Sequence, residues 1–237
     1  MTGKQLLIVK NIAREGPGIL GEIVRERGIA SETIELDQRQ RFPPVDRYDA
    51  IVILGGPDSA NDKNDKMREE LARLREAMDI RKPCLGVCLG LQALVKTAGS
   101  RVAPSPVKEV GFRDPEGELY KIELTEKGRH DPLFQGLGSS FHVFQLHGET
   151  VELADGMLLL AAGKYCRNQV VRIGSNAYGI QCHFELTPEM FESWINEDPD
   201  LLKLDKEALR ADFASIRDEY TRLGRRLLEN FLAIAGM

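Results

Sequence analysis

Lys82-Pro83-Cys84-Leu85-Gly86-Val87-Cys88-Leu89-Gly90-Leu91-Gln92 is the stretch whose reading decides the fold. A short apolar run climbs to Cys88, glycines stand two residues before and after it, and a helix-forming segment begins at Leu89. That is the G-x-C-x-G pattern of a nucleophile elbow, where a sharp strand-to-helix turn strains the central residue and only small neighbours fit. Sulfur at a helix N-terminus meets unpaired amides and the positive end of the helix dipole, which favours thiolate. Cys88 is therefore expected to be exposed and reactive. Taken alone, the residue also fits one more small buried hydrophobe, and Cys84, with no flanking glycines, reads as core.

Working outward, the first half alternates in period. Leu6–Val9, Thr33–Leu36, Ala50–Leu54 and Lys82–Val87 read as strands, whereas Gly18–Arg27, Lys63–Met78 and Leu89–Thr97, the last closed by Gly99, read as helices. Strand and helix in alternation imply parallel strands joined by helical crossovers. Beyond Gly99, segments Val102–Val110, Leu119–Leu124, Phe141–Leu146, Met157–Ala161, Val170–Ile173 and Tyr178–Cys182 read as shorter, partly antiparallel strands. Pro188–Ile195 and Lys206–Ile234 read as helices, the second with Leu209, Phe213, Ile216, Tyr220, Leu223, Leu227 and Phe231 on one face. The expected fold is α/β: an open, mostly parallel central sheet flanked by helices, with a few antiparallel strands. Residues 1–237 form a single domain in this reading, about 187–237 being a helical C-terminal extension whose apolar face covers the protein's own core.

Composition excludes several classes. The chain has 237 residues, 42% apolar and 29% charged, with 32 Lys and Arg against 37 Asp and Glu for a net charge of -5. So balanced a charge argues against nucleic-acid partners. No apolar run approaches the ~20 residues a bilayer span needs, which argues against a membrane partner. Met1–Gln5 leads straight into the first apolar run, too short for a secretory hydrophobic region, and four cysteines are too few for a disulfide framework. A cytoplasmic protein with reduced thiols is expected.

A thiolate needs a base, and the histidines are His130, His142, His147 and His183. His183 follows an apolar strand and precedes Glu185, and the spacing H-x-E places imidazole and carboxylate on one side of an extended segment. Glu185 can then orient His183 and stabilise its cation, giving the order nucleophile, base, orienter. Alone, the pair also fits a strand-end histidine beside a helix-capping carboxylate. Zinc held by Cys84, Cys88, Cys182 and His183 is disfavoured: no C-x-x-C pair exists, and adjacent Cys182 and His183 point to opposite faces of a strand. Gly55-Gly56-Pro57 ends the strand Ala50–Leu54 at the sheet edge where open α/β folds bind ligands. Besides a simple turn, it offers the Gly56 amide as an oxyanion donor beside that of Leu89.

Gly55-Gly56-Pro57, Gly86-Val87-Cys88-Leu89-Gly90-Leu91-Gln92 and Tyr178-Gly179-Ile180-Gln181-Cys182-His183-Phe184-Glu185 together resemble, in order and spacing, the signatures of class I glutamine amidotransferases, whose fold is flavodoxin-like. Asp131-Pro132-Leu133-Phe134, Val143 to Thr150 and Asn168-Gln169 are similar to the glutaminase part of GMP synthase. The resemblance implies that Cys88 attacks the side-chain amide of L-glutamine, His183 serves the leaving ammonia and then water, and Glu185 holds His183. It implies oxyanion amides at Gly56 and Leu89 and a substrate head-group site at Gln92, Leu146, Gly148 and Glu149, with His147 nearby but outside the triad. No cofactor and no metal are required by it. Two departures stand out: Phe184 where most members have proline, and Glu149 where aspartate is common. No P-loop occurs, so an ammonia acceptor would be a separate synthase subunit, or absent. Hydrolysis of γ-glutamyl amides or peptides by the same triad, and a non-catalytic glutamine-binding role, are the alternatives.

Overall fold

The computed structural model describes residues 4–237; Met1, Thr2 and Gly3, the first part of the short N-terminal lead, lie outside the described residues. The chain runs β1 (Gln5–Lys10), α1 (Gly18–Glu26), β2 (Ala30–Glu35), β3 (Ala50–Ile53), α2 (Asp65–Asp79), β4 (Cys84–Val87) and α3 (Leu89–Thr97). Then follow β5 (Val102–Gly111), β6 (Lys121–Leu124), the short α4 (Glu126–Arg129), β7 (Ser140–His142), β8 (Gln145–Val151), β9 (Met157–Gly163), β10 (Val170–Ile173), β11 (Ala177–Ile180), α5 (Pro188–Glu197) and α6 (Lys206–Ile234). Every residue of β3 and β4 is buried, as continuous apolar strands covered on both faces must be. Asn64 caps α2 by accepting the Met67 N–H at 2.8 Å.

The main sheet has the order β2-β1-β3-β4-β11-β10-β9-β6-β7 among the described residues. Its first five strands are parallel, and from β11 onward neighbours run antiparallel. The decisive neighbour is β11, which lies parallel to β4 with Gly179 opposite Gly86. It carries the sequence that ends in His183 to the same sheet edge as Cys88.

Phe141–Leu146, expected as one strand, divides in two. Ser140–His142 joins the main sheet, whereas Gln145–Val151 pairs antiparallel with β5 in a separate two-stranded sheet. Between them, the Val143 N–H donates to the Tyr120 carbonyl and the Phe144 carbonyl accepts from the His183 N–H, so the backbone changes partners at this point. Tyr178–Cys182 is shorter than expected, because β11 ends at Ile180 and the chain then turns across the site. Helix α6 buries Leu209, Phe213, Ile216, Tyr220, Leu223, Leu227 and Phe231 against the main core, and its apolar face is thus internal.

Candidate active site

At the β4–α3 junction Cys88 has φ +51° and ψ -105°, a left-handed conformation that a residue with a β-carbon adopts only where its surroundings fix it. The flanking glycines permit this by close approach. A β-carbon on Gly86 would stand 2.3 Å from the Gly90 backbone, and one on Gly90 2.3 Å from the Ile53 carbonyl oxygen. The Cys88 N–H donates to the Ile180 carbonyl at 2.7 Å, which ties the elbow to β11.

The expectation of an exposed, acidified thiol is corrected here. Cys88 is 7% exposed, and burial pushes its pKa up while neighbouring His183 opposes that rise. Loss of hydration disfavours a lone thiolate more than the helix terminus favours it, so a thiolate at this position depends on the imidazolium. The sulfur lies 3.6 Å from the Leu146 carbonyl and accepts from Gln181 Nε2 at 3.6 Å.

His183 is fixed from all sides. Its Nδ1 meets Glu185 Oε1 at 2.7 Å, its N–H donates to Phe144, and its carbonyl accepts the Tyr220 hydroxyl at 2.9 Å. The Trp194 indole stands edge-on, ring centroids 4.9 Å apart. Burial by itself would lower the imidazole pKa, but the Glu185 charge and the Cys88 sulfur hold it well above its ordinary value. Its Nε2 is buried and has no hydrogen-bond partner among the described residues. The second carboxylate oxygen of Glu185 accepts the Phe184 N–H at 2.9 Å. Proline has no N–H to give, so the departure at Phe184 adds a bond that holds Glu185 in place.

The remaining sequence candidates gather around this group. A β-carbon on Gly56 would touch the Leu89 side chain at 3.4 Å, and Leu89 opens α3, where the first amides lack intrahelical acceptors. Gln92 Nε2 donates to the Glu149 carbonyl and to Gln181 Oε1, both at 3.4 Å. The Glu149 carboxylate accepts the Ser59 hydroxyl at 3.0 Å. Gly56, Cys88, Gln92, Leu146, Gly148 and Glu149 all line one cleft of about 480 Å³. A larger cavity, about 740 Å³, lies between β6, β7 and the end of β9 and shares no residue with it.

Two residues of this region escaped the sequence reading. Gln181 bridges Gln92 and Cys88, and its signal was its place two residues before His183 on one side of an extended segment. Glu15, in the loop from β1 to α1, is 4% exposed, and burial pushes its carboxyl up to about 7, with His183 opposing. An acid just before Gly16-Pro17-Gly18 at the carboxyl edge of β1 was the available hint.

Glu109, His147 and Cys166 form a second buried group, with ligand atoms within 4.8 Å of one another, and are the residues whose types suit a metal. Each is already engaged by protein. His147 Nε2 meets Glu109 at 2.9 Å, its Nδ1 meets the Glu149 carbonyl at 3.1 Å, and Cys166 meets Thr150 at 3.1 Å. The arrangement ties β5, β8 and the chain after β9 together behind the cleft wall.

The family profile described as glutamine amidotransferase class-I matches residues 19–198. Over 187 residues the chain is 32% identical to the glutamine amidotransferase-like protein YfeJ of Salmonella typhimurium, covering 76% of this chain and 75% of that one. It is 31% identical over 196 residues to a glutamine-hydrolyzing GMP synthase of Thermosipho melanesiensis, covering 81% of this chain but only 35% of the synthase. A glutamine amidotransferase structure from Thermotoga maritima superimposes with a TM-score of 0.87 at 25% identity, covering 98% of this chain and 99% of the other. With the sheet order, the elbow and the three sequence signatures, these matches establish that the chain belongs to the class I glutamine amidotransferase family.

Proposed function

We propose that the protein hydrolyses the side-chain amide of L-glutamine through a Cys88 thioester. The observation that carries this reading is the strained Cys88 elbow beside a buried His183 whose other ring nitrogen is held by Glu185 at 2.7 Å. His183 takes the thiol proton, and the thiolate attacks the amide carbon while the carbonyl oxygen becomes an oxyanion facing the Gly56 and Leu89 amides. The C–N bond breaks as His183 returns its proton to nitrogen, releasing ammonia. Water, deprotonated by His183, adds to the thioester, the C–S bond breaks, and glutamate leaves. Glu185 stabilises the imidazolium in both halves. Gln92, Leu146, Gly148 and Glu149 receive the amino-acid head. The head-group contacts come mainly from backbone, so glutamate in place of aspartate at 149 leaves them available.

Ammonia would pass to an acceptor on a separate synthase subunit, a reading supported by GMP synthase relatives of which this chain spans about a third. Free cysteines and the absence of any helix long and apolar enough to cross a membrane among the described residues agree with a cytoplasmic setting. A second reading, hydrolysis of γ-glutamyl amides, is favoured by one observation. The cleft continues past Cys88 to Arg14, Glu15 and the Asp198–Asp200 turn, leaving room for a leaving group larger than ammonia.

Release of ammonia and glutamate from L-glutamine by the purified protein, with Cys88→Ala as blank, tests the proposal. Equal rates from both proteins would end it.

A further inference from the structure

The wall of the cleft beyond Cys88 carries a carboxylate, Glu15, that forms no direct ion pair among the described residues. Glu15 and the Cys88 β-carbon share one face of Gly55: a β-carbon built there would stand 2.2 Å from Glu15 Oε2 and 3.4 Å from Cys88 Cβ. The loop holding Glu15 is pressed onto the His183–Glu185 segment, because the Ile19 N–H donates to the Glu185 carbonyl at 2.9 Å and Gly18 has no room for a side chain against it. Glu15 thus sits beside Cys88 at the His183 end of the cleft that Gln92 and Glu149 also line. A substrate whose head lies on Gln92 and whose carbonyl faces Gly56 must send its leaving nitrogen toward this end.

The other charged groups there are already paired. Arg14 binds Asp198 at 2.8 Å and Lys108 binds Asp200 at 2.5 Å. Asp58 is held by Lys66 at 2.6 Å. Glu15 is 4% exposed and lines the cleft, and its carboxylate has no hydrogen-bond or ion-pair partner among the described residues. A buried carboxylate without a cation is costly, and a ligand that supplies the cation removes that cost.

We propose that Glu15 is the leaving-group contact of this site and selects γ-glutamyl amides whose amine part carries a second, protonated nitrogen. The inference rests on the Cys88 reading above and names its substrate class. The carboxylate accepts from the ammonium, while an amine part bearing its own carboxylate meets the like charge of Glu15 and is rejected. With glutamine, the same oxygen accepts an N–H of the amide. The charged groups facing Glu15 are His183, Glu185, Arg14 and Asp198, with Cys88 beside them. Since burial holds the Glu15 carboxyl up to about 7, the preference strengthens as the pH rises from about 6 to about 8.

The test uses calorimetric binding to full-length Cys88→Ser protein, with a γ-glutamyl diamine, a γ-glutamyl alkylamide of equal length and a γ-glutamyl ω-amino acid. The diamine conjugate is expected to bind at least about tenfold more tightly than the neutral alkylamide at pH 8, the ratio shrinking at pH 6 and approaching one in Glu15→Gln. A ratio near one at pH 8 with Glu15 present, or tighter binding of the ω-amino acid conjugate, overturns the proposal even if the Glu15→Gln variant does not fold. Turnover of the same compounds by the unaltered protein is scored separately. Binding preference without Cys88-dependent turnover would end the hydrolase reading and leave the Glu15 assignment standing; turnover without preference would do the reverse.

Discussion

The hydroxyl of Tyr220, in the middle of the C-terminal helix, donates to the main-chain carbonyl of His183 at 2.9 Å, and both residues are 1% exposed. A residue 37 positions away in sequence thus satisfies the buried backbone of the proposed base, and α6 supports the site as well as the core. Tyr220→Phe leaves that carbonyl without its donor. The expected loss is about 1 to 2 kcal/mol, or a melting temperature lower by roughly 2 to 8 °C. Urea unfolding checks the first figure and calorimetry the second; an unchanged midpoint would mean that water replaces the hydroxyl.

Removing the charge at position 185 separates orientation from electrostatics. Glu185→Gln keeps a group within reach of His183 Nδ1 but withdraws the negative charge that holds the imidazole pKa up. The His183 titration, followed by NMR of the ring protons, is expected to move down, and glutamine hydrolysis to fall on the order of 10⁴-fold. The stability linked to this proton has a definite sign. With its folded pKa raised, His183 contributes fully below the ordinary imidazole value and loses that contribution as pH rises through the folded one. In Glu185→Gln this dependence flattens.

Gly90→Ala tests the elbow as a packing constraint. The added carbon would lie 2.3 Å from the Ile53 carbonyl oxygen, which belongs to a central strand and has no room to retreat. A loss of roughly 3 kcal/mol or more is expected, well beyond an ordinary helix Gly→Ala change, which is stabilising in propensity. Denaturant midpoints that match the unaltered protein would show that β3 and α3 can part without cost.

Much of this was legible from residue order because the relevant signals are local. The run into Cys88, its flanking glycines and the H-x-E step each lie within a few residues, and they predicted the elbow and the His183–Glu185 contact. The burial of Cys88 was not legible, since it depends on Gln181 and on the Leu146 carbonyl, delivered by strand β8, which pairs with β5 rather than with the main sheet. The division of Phe141–Leu146 was hidden for the same reason. A continuous apolar run has no feature that marks where its backbone changes partners; the Phe144–His183 bridge does that, and it is a long-range pairing. Glu15 was missed because an acid in a loop is ordinarily solvated, and its burial beside Gly55 and Cys88 is a tertiary contact.

Glu70, which does not line the cleft, offers a separate pH test. It is fully buried, donates nothing, accepts from Asn11 Nδ2 at 3.2 Å, and burial pushes its carboxyl up to about 7. A carboxyl raised in the folded state stabilises the fold most below its unfolded value, and that contribution declines as pH rises from about 4.5 through about 7. Glu70→Gln abolishes the decline. The variant should be close to the unaltered protein at pH 5 and more stable at pH 8, by up to roughly 3 kcal/mol at the conversion of about 1.4 kcal/mol per pH unit. Parallel urea titrations at the two pH values decide it; equal differences at both would show that Glu70 is ionised throughout.

The adjacency of β4 and β11 also has a consequence for how the molecule comes into being. Cys88 is made early and His183 late, and the backbone bond that joins them, from Cys88 to Ile180, spans most of the chain's middle. Pairings so distant in sequence form late in folding, after shorter loops have closed. A growing chain on the ribosome therefore carries its cysteine for nearly a hundred residues of synthesis with no imidazole beside it. Chemical competence and a completed central sheet arrive in the same event.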